Sequence, residues 1–350
     1  MRIGFFSAVT MLLMLCIFFL DVNAEEGTWK AYHNCRRIFD IAVENENLWC
    51  ASSGGLLVWN MMDDTYDIYP RPDGGEQFWS TSIFIDDGGT KWMGMYEQSN
   101  KGGAQGYGIG RFDGTDWETY QFGGYRDTIY DIAQDKSGDM WFATDGGVLR
   151  FNDSTWITYT EDDGLLSNNV HSIVIDDHGK KWIASTKGIC VIEDEISVTY
   201  TQESMGLSTL WIEDICIDHD GIIWVLSHRD IVCYDGESWK NIRHDFPEFD
   251  CSDCLHSIAV DGNNVKWFSG TAGVMSFDGK TWKKYTSENN GLAHNDVYCG
   301  TASGNTVWFI NNHDDYDTIS EFDGTEWRYY ELDAEQIQAP WLVDMIFIDH

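Results

Sequence analysis

The chain has 350 residues, 15% of them aromatic, and carries 58 Asp and Glu against 22 Lys and Arg. A net charge of −36 argues against nucleic acid or an anionic membrane surface as partner and favours high solubility. There is no Pro/Ser-rich linker and no second compositional zone, so one domain is expected beyond the N-terminal segment.

Residues 1–24 read as a secretory signal: Arg2 precedes an apolar stretch from Ile3 to Leu20, and Val22-Asn23-Ala24 offers small residues for cleavage. An uncleaved anchor is the alternative, because the stretch is long for such a segment. Cys16 lacks the small residue that a lipoprotein signal places before its Cys. No later segment is apolar enough to span a membrane. The expected product is a soluble, extracytoplasmic (periplasmic or secreted) monomer, with no membrane contact after signal removal.

From there on the chain repeats. Trp49, Trp92, Trp141, Trp182, Trp224, Trp267 and Trp308 follow one another at intervals of 43, 49, 41, 42, 43 and 41 residues. A period of this length, filled with short apolar runs, is that of β-propeller blades. The unit around Trp141 reads Ile129–Asp135, a Lys-Ser-Gly-Asp turn, Met140–Thr144, Asp-Gly-Gly147, Val148–Asn152 and Trp156–Tyr159. These are four strands, a to d, joined by tight turns. The predicted fold is therefore all-β, a propeller of seven four-stranded blades within 25–350. The blades fall at about 38–70, 82–121, 128–160, 170–201, 212–243, 255–286 and 296–330. A further strand starts in 341–350, and eight blades is the alternative if the chain is truncated.

Two positional patterns accompany the repeat. Asp86, Asp135, Asp176, Asp218 and Asp261 each stand six residues before the blade Trp, where a turn suits an Asp that bonds nearby backbone N–H groups. Strand d carries an aromatic pair, as in Trp117/Tyr120, Trp156/Tyr159 and Trp282/Tyr285. Packing between blades suffices to explain these rings, each burying about 150–250 Å².

Cys50, Cys190, Cys216, Cys233 and Cys299 lie in predicted strands, where buried thiols and disulfides are both open readings. Cys251-Ser-Asp-Cys254 lies in a loop and suits a local disulfide; half of a metal site is the other reading.

The loops entering strand a and those joining b to c share one face, and irregularity concentrates there. The b–c connection of blade 2 expands to Tyr96–Tyr107, that of blade 7 runs Asn311–Tyr316, and blade 5 has Ser227-His-Arg229. Variable loops on a rigid scaffold are where binding is usually placed. On the innermost strand, eleven residues before the Trp, stand Tyr130, His171, Glu213, His256 and Val297. Asp131, Ser172, Asp214, Ser257 and Tyr298 follow one position later. His171, Glu213 and His256 have the chemistry to hold a divalent metal or to pair a general base with an orienting carboxylate. The bland reading is that they satisfy one another and the backbone.

The combination Asp-x-x-Gly-x-x-Trp, Gly-Gly-Val or Lys-Gly-Ile, Phe-Asp-Gly, Trp-x-x-Tyr-Thr and Asp-Gly-Leu resembles the two-component regulator propeller repeat, most clearly at Asp135–Leu165, Asp176–Tyr200 and Asp261–Leu292. That resemblance implies an extracytoplasmic sensor-type propeller and ligand binding. No transmembrane helix, kinase or DNA-binding segment follows the propeller, so signalling by this polypeptide is not carried over. Streptogramin lyases look similar in architecture only; their example implies a catalytic His and metal-binding Glu residues near the centre.

The leading functional reading is a ligand-binding or sensor-type module. Its ligand is a small molecule, oligosaccharide or protein segment met by Tyr96, Tyr107, Tyr130, Trp211, Arg229, Tyr298, Asn311 and Tyr316. A metal-dependent lyase or hydrolase using His171, Glu213 and His256 is the alternative, and a structural scaffold the third. No cofactor is expected apart from that divalent ion. Neither G-x-S-x-G nor H-E-x-x-H is present to favour catalysis.

Overall fold

Every Trp-centred unit forms one four-stranded antiparallel sheet whose strands pair in chain order. The structure, a computed structural model, describes residues 37–63, 65–69, 78–98, 104–122, 128–193, 195–209, 211–242, 254–289, 291–312 and 317–331. The expected signal segment in 1–24, Cys251, Tyr316 and the strand expected in 341–350 lie outside the described residues. The innermost strands are Ile38–Glu44, Phe78–Ile85, Ile129–Gln134, Val170–Ile175, Ile212–Ile217, Leu255–Val260 and Val297–Ser303. Each contacts the next, and the last returns to the first. Seven blades thus close a propeller ring, as the repeat predicts.

The repeat residues earn their spacing by packing. The strand-b Trp stacks on the strand-d Tyr of its own blade, as in Trp141–Tyr159 at 5.7 Å and Trp182–Tyr200 at 6.0 Å between centroids. It also meets an aromatic ring of the following blade, as in Trp92–Phe142 and Trp267–Phe309. In blades 3, 4 and 6 strand c opens on a Gly because the chain passes too close to strand d for a side chain. At Gly147, with φ of 124°, a Cβ would lie 2.2 Å from the Tyr159 carbonyl oxygen.

The Asp six residues before the Trp has two jobs. In Asp218, Oδ1 accepts the turn N–H groups of Asp220 and Ile222, while Oδ2 accepts the Trp224 indole N–H at 2.9 Å. Asp86, Asp135, Asp176 and Asp261 bind their own Trp in the same way, at 2.8 to 3.1 Å. Blade 1 lacks this Asp, and the Trp49 indole nitrogen is buried without a hydrogen-bond partner.

Neighbouring blades are also tied in alternation. Lys91, Lys181 and Lys266, just before the Trp in blades 2, 4 and 6, lie over Trp49, Trp141 and Trp224 of the preceding blade at 4.5, 4.8 and 5.2 Å. Each also pairs with a carboxylate there: Glu44 at 2.7 Å, Asp135 at 3.5 Å and Asp218 at 3.0 Å.

Blade 7 meets blade 1 differently. The Ile38 N–H and the Arg37 guanidinium both donate to the buried Asp317, at 2.7 and 3.0 Å, and the Tyr298 hydroxyl donates to the Ile38 carbonyl at 2.7 Å. Blade 1 and blade 7 each keep four strands from continuous chain, so side chains close the ring there.

Blade 2 departs from its predicted limits. Its first strand begins at Phe78, and strands b and c run on to Gln98 and from Ala104, so much of the Tyr96–Tyr107 segment is a lengthened hairpin.

Candidate functional site

Every innermost strand carries a β-bulge near its start, and all seven lie at one level. In blade 3, Ile129 faces Thr144 and Asp131 faces Ala143, which leaves Tyr130 as the extra residue. The equivalent residues are Phe39, Thr81, His171, Glu213, His256 and Tyr298. Counting eleven residues back from the Trp therefore holds in blades 2 to 6 and slips by one in blade 7. There the a–b turn is only Gly304-Asn305, so Tyr298 takes the level expected of Val297. Val297 is fully buried instead.

The bulge exposes a carbonyl that the preceding blade uses. Thr81 donates to the Ile129 oxygen at 2.7 Å, and His171 Nδ1 donates to the Ile212 oxygen at 3.1 Å. A carbonyl only accepts, so His171 holds its proton on Nδ1.

One position further in is a second ring: Asp40, Ser82, Asp131, Ser172, Asp214, Ser257 and Cys299. Each Asp accepts the N–H of its own successor and one from the next blade: Ile83 for Asp40, Ile173 for Asp131 and Ile258 for Asp214, at 2.8 to 2.9 Å. The Ser172 hydroxyl lies 2.8 Å from Asp131 and 3.1 Å from Asp214. These three Asp residues are half-buried at the inner ends of their blades. Burial pushes Asp40 and Asp214 up to about 7 and Asp131 up to about 6, against the downward pull of the N–H donors. Repulsion from Asp131 adds to the rise at the other two.

The mouth above these rings has two sectors. In the first, the His171 ring lies between Tyr130 and Trp211, at 5.4 and 5.2 Å from their centroids. Tyr130 is 42% and Trp211 51% exposed. On blades 1 and 2, Trp79 stacks between Phe39 at 5.7 Å and Tyr96 at 5.9 Å. In the second sector, on blades 5 and 6, His228 Nδ1 lies 2.8 Å from Glu213 Oε1, and His228 Nε2 lies 3.2 Å from Cys254 Sγ. His256 is nearby; burial lowers its pKa while the charges of Glu213 and Asp296 oppose that shift.

The predicted site residues therefore divide. Tyr130, His171, Glu213 and His256 share the bulge ring, and Tyr96 and Trp211 flank it. Arg229 is exposed in the b–c loop beside His228. Tyr298 joins the ring, but its hydroxyl is occupied by Ile38 and Asp317. Tyr107 is a correction: it is the extra residue of a bulge opposite Met95 and Tyr96, half-buried and packed against the core cluster that contains Trp49, Met93 and Met95. Asn311 is another. It is fully buried, its Nδ2 donating to the His294 carbonyl at 2.8 Å and its Oδ1 accepting from Ser320 at 2.7 Å. A ligand has no access to it.

Glu213 points to His228 rather than joining His171 and His256 at one centre. Among the described residues, no three His, Cys, Asp or Glu side chains converge as metal ligands. Cys190, Cys216, Cys233 and Cys299 stand in strands as thiols. Reasoning from sequence missed His228 and the place of Cys254. His228 was visible only as the middle of Ser227-His-Arg229, and no spacing brings a b–c loop to the next blade's first strand.

No curated protein matches the chain in sequence. Solved structures share its fold. The extracellular domain of a hybrid two-component system from B. thetaiotaomicron superposes with a TM-score of 0.63 at 17% identity, over 87% of this chain and 40% of that one. Virginiamycin B lyase from Staphylococcus aureus, in an inactive form with quinupristin, gives 0.61 at 14% identity, over 83% and 95%. PorZ of the type-IX secretion system of Porphyromonas gingivalis gives 0.61 at 15% identity, over 81% and 47%. The chain thus spans under half of the first and third of these proteins. Within it, residues 126–146, the first strands of blade 3, match the model of the two component regulator propeller family.

Proposed function

We propose that the chain is an extracytoplasmic, sensor-type binding propeller whose ligand is a neutral oligosaccharide seated on the channel mouth. One observation carries this reading. Tyr130, His171 and Trp211 form a continuous arc across three blades, and two of its rings remain open to solvent while the repeat Trp residues are packed away. Flat exposed rings beside hydrogen-bonding groups suit a sugar, which stacks its apolar face and bonds through its hydroxyls. Glu213 and the net charge of −36 disfavour an anionic ligand. Among the described residues no helix is long and apolar enough to cross a membrane. Any signal relay therefore falls to a partner or to another segment.

The test is a panel of neutral oligosaccharides screened on the whole protein, with hits titrated calorimetrically. Trp211→Ala should weaken a true ligand by about 30-fold, the loss of ~2 kcal/mol typical of a central aromatic contact. Equal affinity in wild type, Trp211→Ala and Tyr130→Ala would place the ligand elsewhere. A peptide bound where no sugar binds would keep the site and change the ligand.

A further inference from the structure

The second sector of the mouth carries chemistry that a sugar-binding surface does not need. Cys254 comes from the segment entering blade 6, His228 from the b–c loop of blade 5, and Glu213 from the bulge on blade 5's first strand. Cys254 Sγ lies 3.2 Å from His228 Nε2, and His228 Nδ1 lies 2.8 Å from Glu213 Oε1. A carboxylate only accepts, so Glu213 fixes the Nδ1–H tautomer and turns the Nε2 lone pair toward the thiol. Nucleophile, base and orienting carboxylate thus stand in the relation that defines an activated nucleophile.

The placement is held from several sides. The Cys254 N–H donates to the Thr271 hydroxyl at 3.1 Å, and the Cys254 carbonyl accepts the Thr271 N–H at 3.0 Å. The His228 N–H donates to the carbonyl of Trp211, so the open indole of the aromatic arc is backbone-linked to the base. Cys254 itself is partly exposed.

We propose that Cys254 is a nucleophile for acyl transfer, with His228 as general base and Glu213 as its positioning residue, acting on an ester carried by the ligand at the mouth. The identity of that ligand rests on the reading above; the thiol chemistry does not. As Sγ bonds to the ester carbonyl carbon, His228 Nε2 takes the thiol proton and the carbonyl electron pair moves to oxygen. The C–O bond then breaks, and the alcohol leaves with the proton from His228, giving an S-acyl Cys254. Water attacks the thioester while His228 takes its proton, and the carboxylic acid departs as the thiol is restored. The sum is ester plus water to acid plus alcohol, with no oxidant or metal required.

The experiment uses the full chain, reduced and kept in EDTA, with p-nitrophenyl acetate as probe. Release of p-nitrophenolate is followed by absorbance, and the acetylated residue is located by peptide mass spectrometry after a rapid quench. An acetyl group on Cys254 is expected, its formation slowed about 10²–10⁴-fold in His228→Ala, the usual reach of a general base. Glu213→Gln should slow it less while leaving Cys254 reactive. Cys254→Ser should abolish acetylation of the thiol, and because the probe carries no sugar, this readout stands or falls independently of oligosaccharide binding. Acetylation of Cys254 at equal rates in wild type and His228→Ala would overturn the proposal, as would acetylation confined to other residues. Circular dichroism of each variant separates loss of chemistry from loss of fold.

Discussion

Replacing Asp214 by Asn should flatten the pH dependence of stability. Asp214 accepts N–H groups from Ile215 and Ile258 and lies 3.1 Å from the Ser172 hydroxyl, so it joins three blades at the channel. Burial raises its carboxyl from the ordinary value to about 7 in the folded protein, whereas the unfolded chain ionises near pH 4. Between those values the folded state holds the extra proton, and stability falls as pH rises. From pH 5 to pH 7 this amounts to two units at about 1.4 kcal/mol each, a ceiling of about 3 kcal/mol for this one group. Above pH 7 the contribution is lost and the slope vanishes. Asp40 titrates over the same window and Asp131 over a narrower one, so any single variant retains part of the wild-type slope. Denaturant unfolding at pH 5, 6, 7 and 8 measures it. The wild type should be more stable at pH 5 than at pH 8, and Asp214→Asn should lose about two fifths of that difference. A wild type equally stable at both values, or a variant with an unchanged slope, would show that these carboxyls are ionised in the native ring.

Asp218→Ala removes the acceptor of the Trp224 indole and of two turn N–H groups, and it strands the buried Lys266; thermal unfolding should report about 3–5 kcal/mol lost. Asn311→Ala should cost about 2 kcal/mol by the same assay, because the His294 carbonyl and the Ser320 hydroxyl lose their buried partner, and it should leave ligand affinity untouched. Trp211→Ala should do the reverse: stability within about 0.5 kcal/mol of wild type, as for an exposed side chain, with binding weakened.

The fold was legible because its strongest contacts repeat. A Trp that stacks on its own blade's Tyr and on the next blade's Phe has to recur once per blade, so the spacing alone locates the sheets. The Asp before it was legible as a turn residue, but its bond to the indole was not, since six residues of separation say nothing about which side chain returns. The bulge ring was half legible. Tyr130, His171, Glu213 and His256 follow from a common count, while Tyr298 was displaced because blade 7 shortens its turn by one residue. Asn311 misled for a related reason: strand b of blade 7 runs through it, so its amide alternates into the interior instead of opening onto the loop. The Cys254–His228 contact has no trace in any spacing, because it depends on how far one blade is rotated against the next.

The alternation between blades has a consequence for the ring as a whole. The first, third and fifth blades supply the inner Asp, and the second, fourth and sixth supply the Ser and the reaching Lys. Three mated couples account for six blades, and a seventh has no mate. Its inner residue is Cys299, and Val307 stands where the second, fourth and sixth blades carry Lys. An odd ring cannot satisfy a two-member pattern all the way round, so the seventh blade makes two unlike joints, and Arg37, Tyr298 and Asp317 are the fittings of one of them. That joint lies on the blade 7 to blade 1 side, away from the Cys254 sector on blades 5 and 6. The couple that holds His228 against Cys254 is a mated one, tied by the Ile258 N–H to Asp214 and by Lys266 to Asp218.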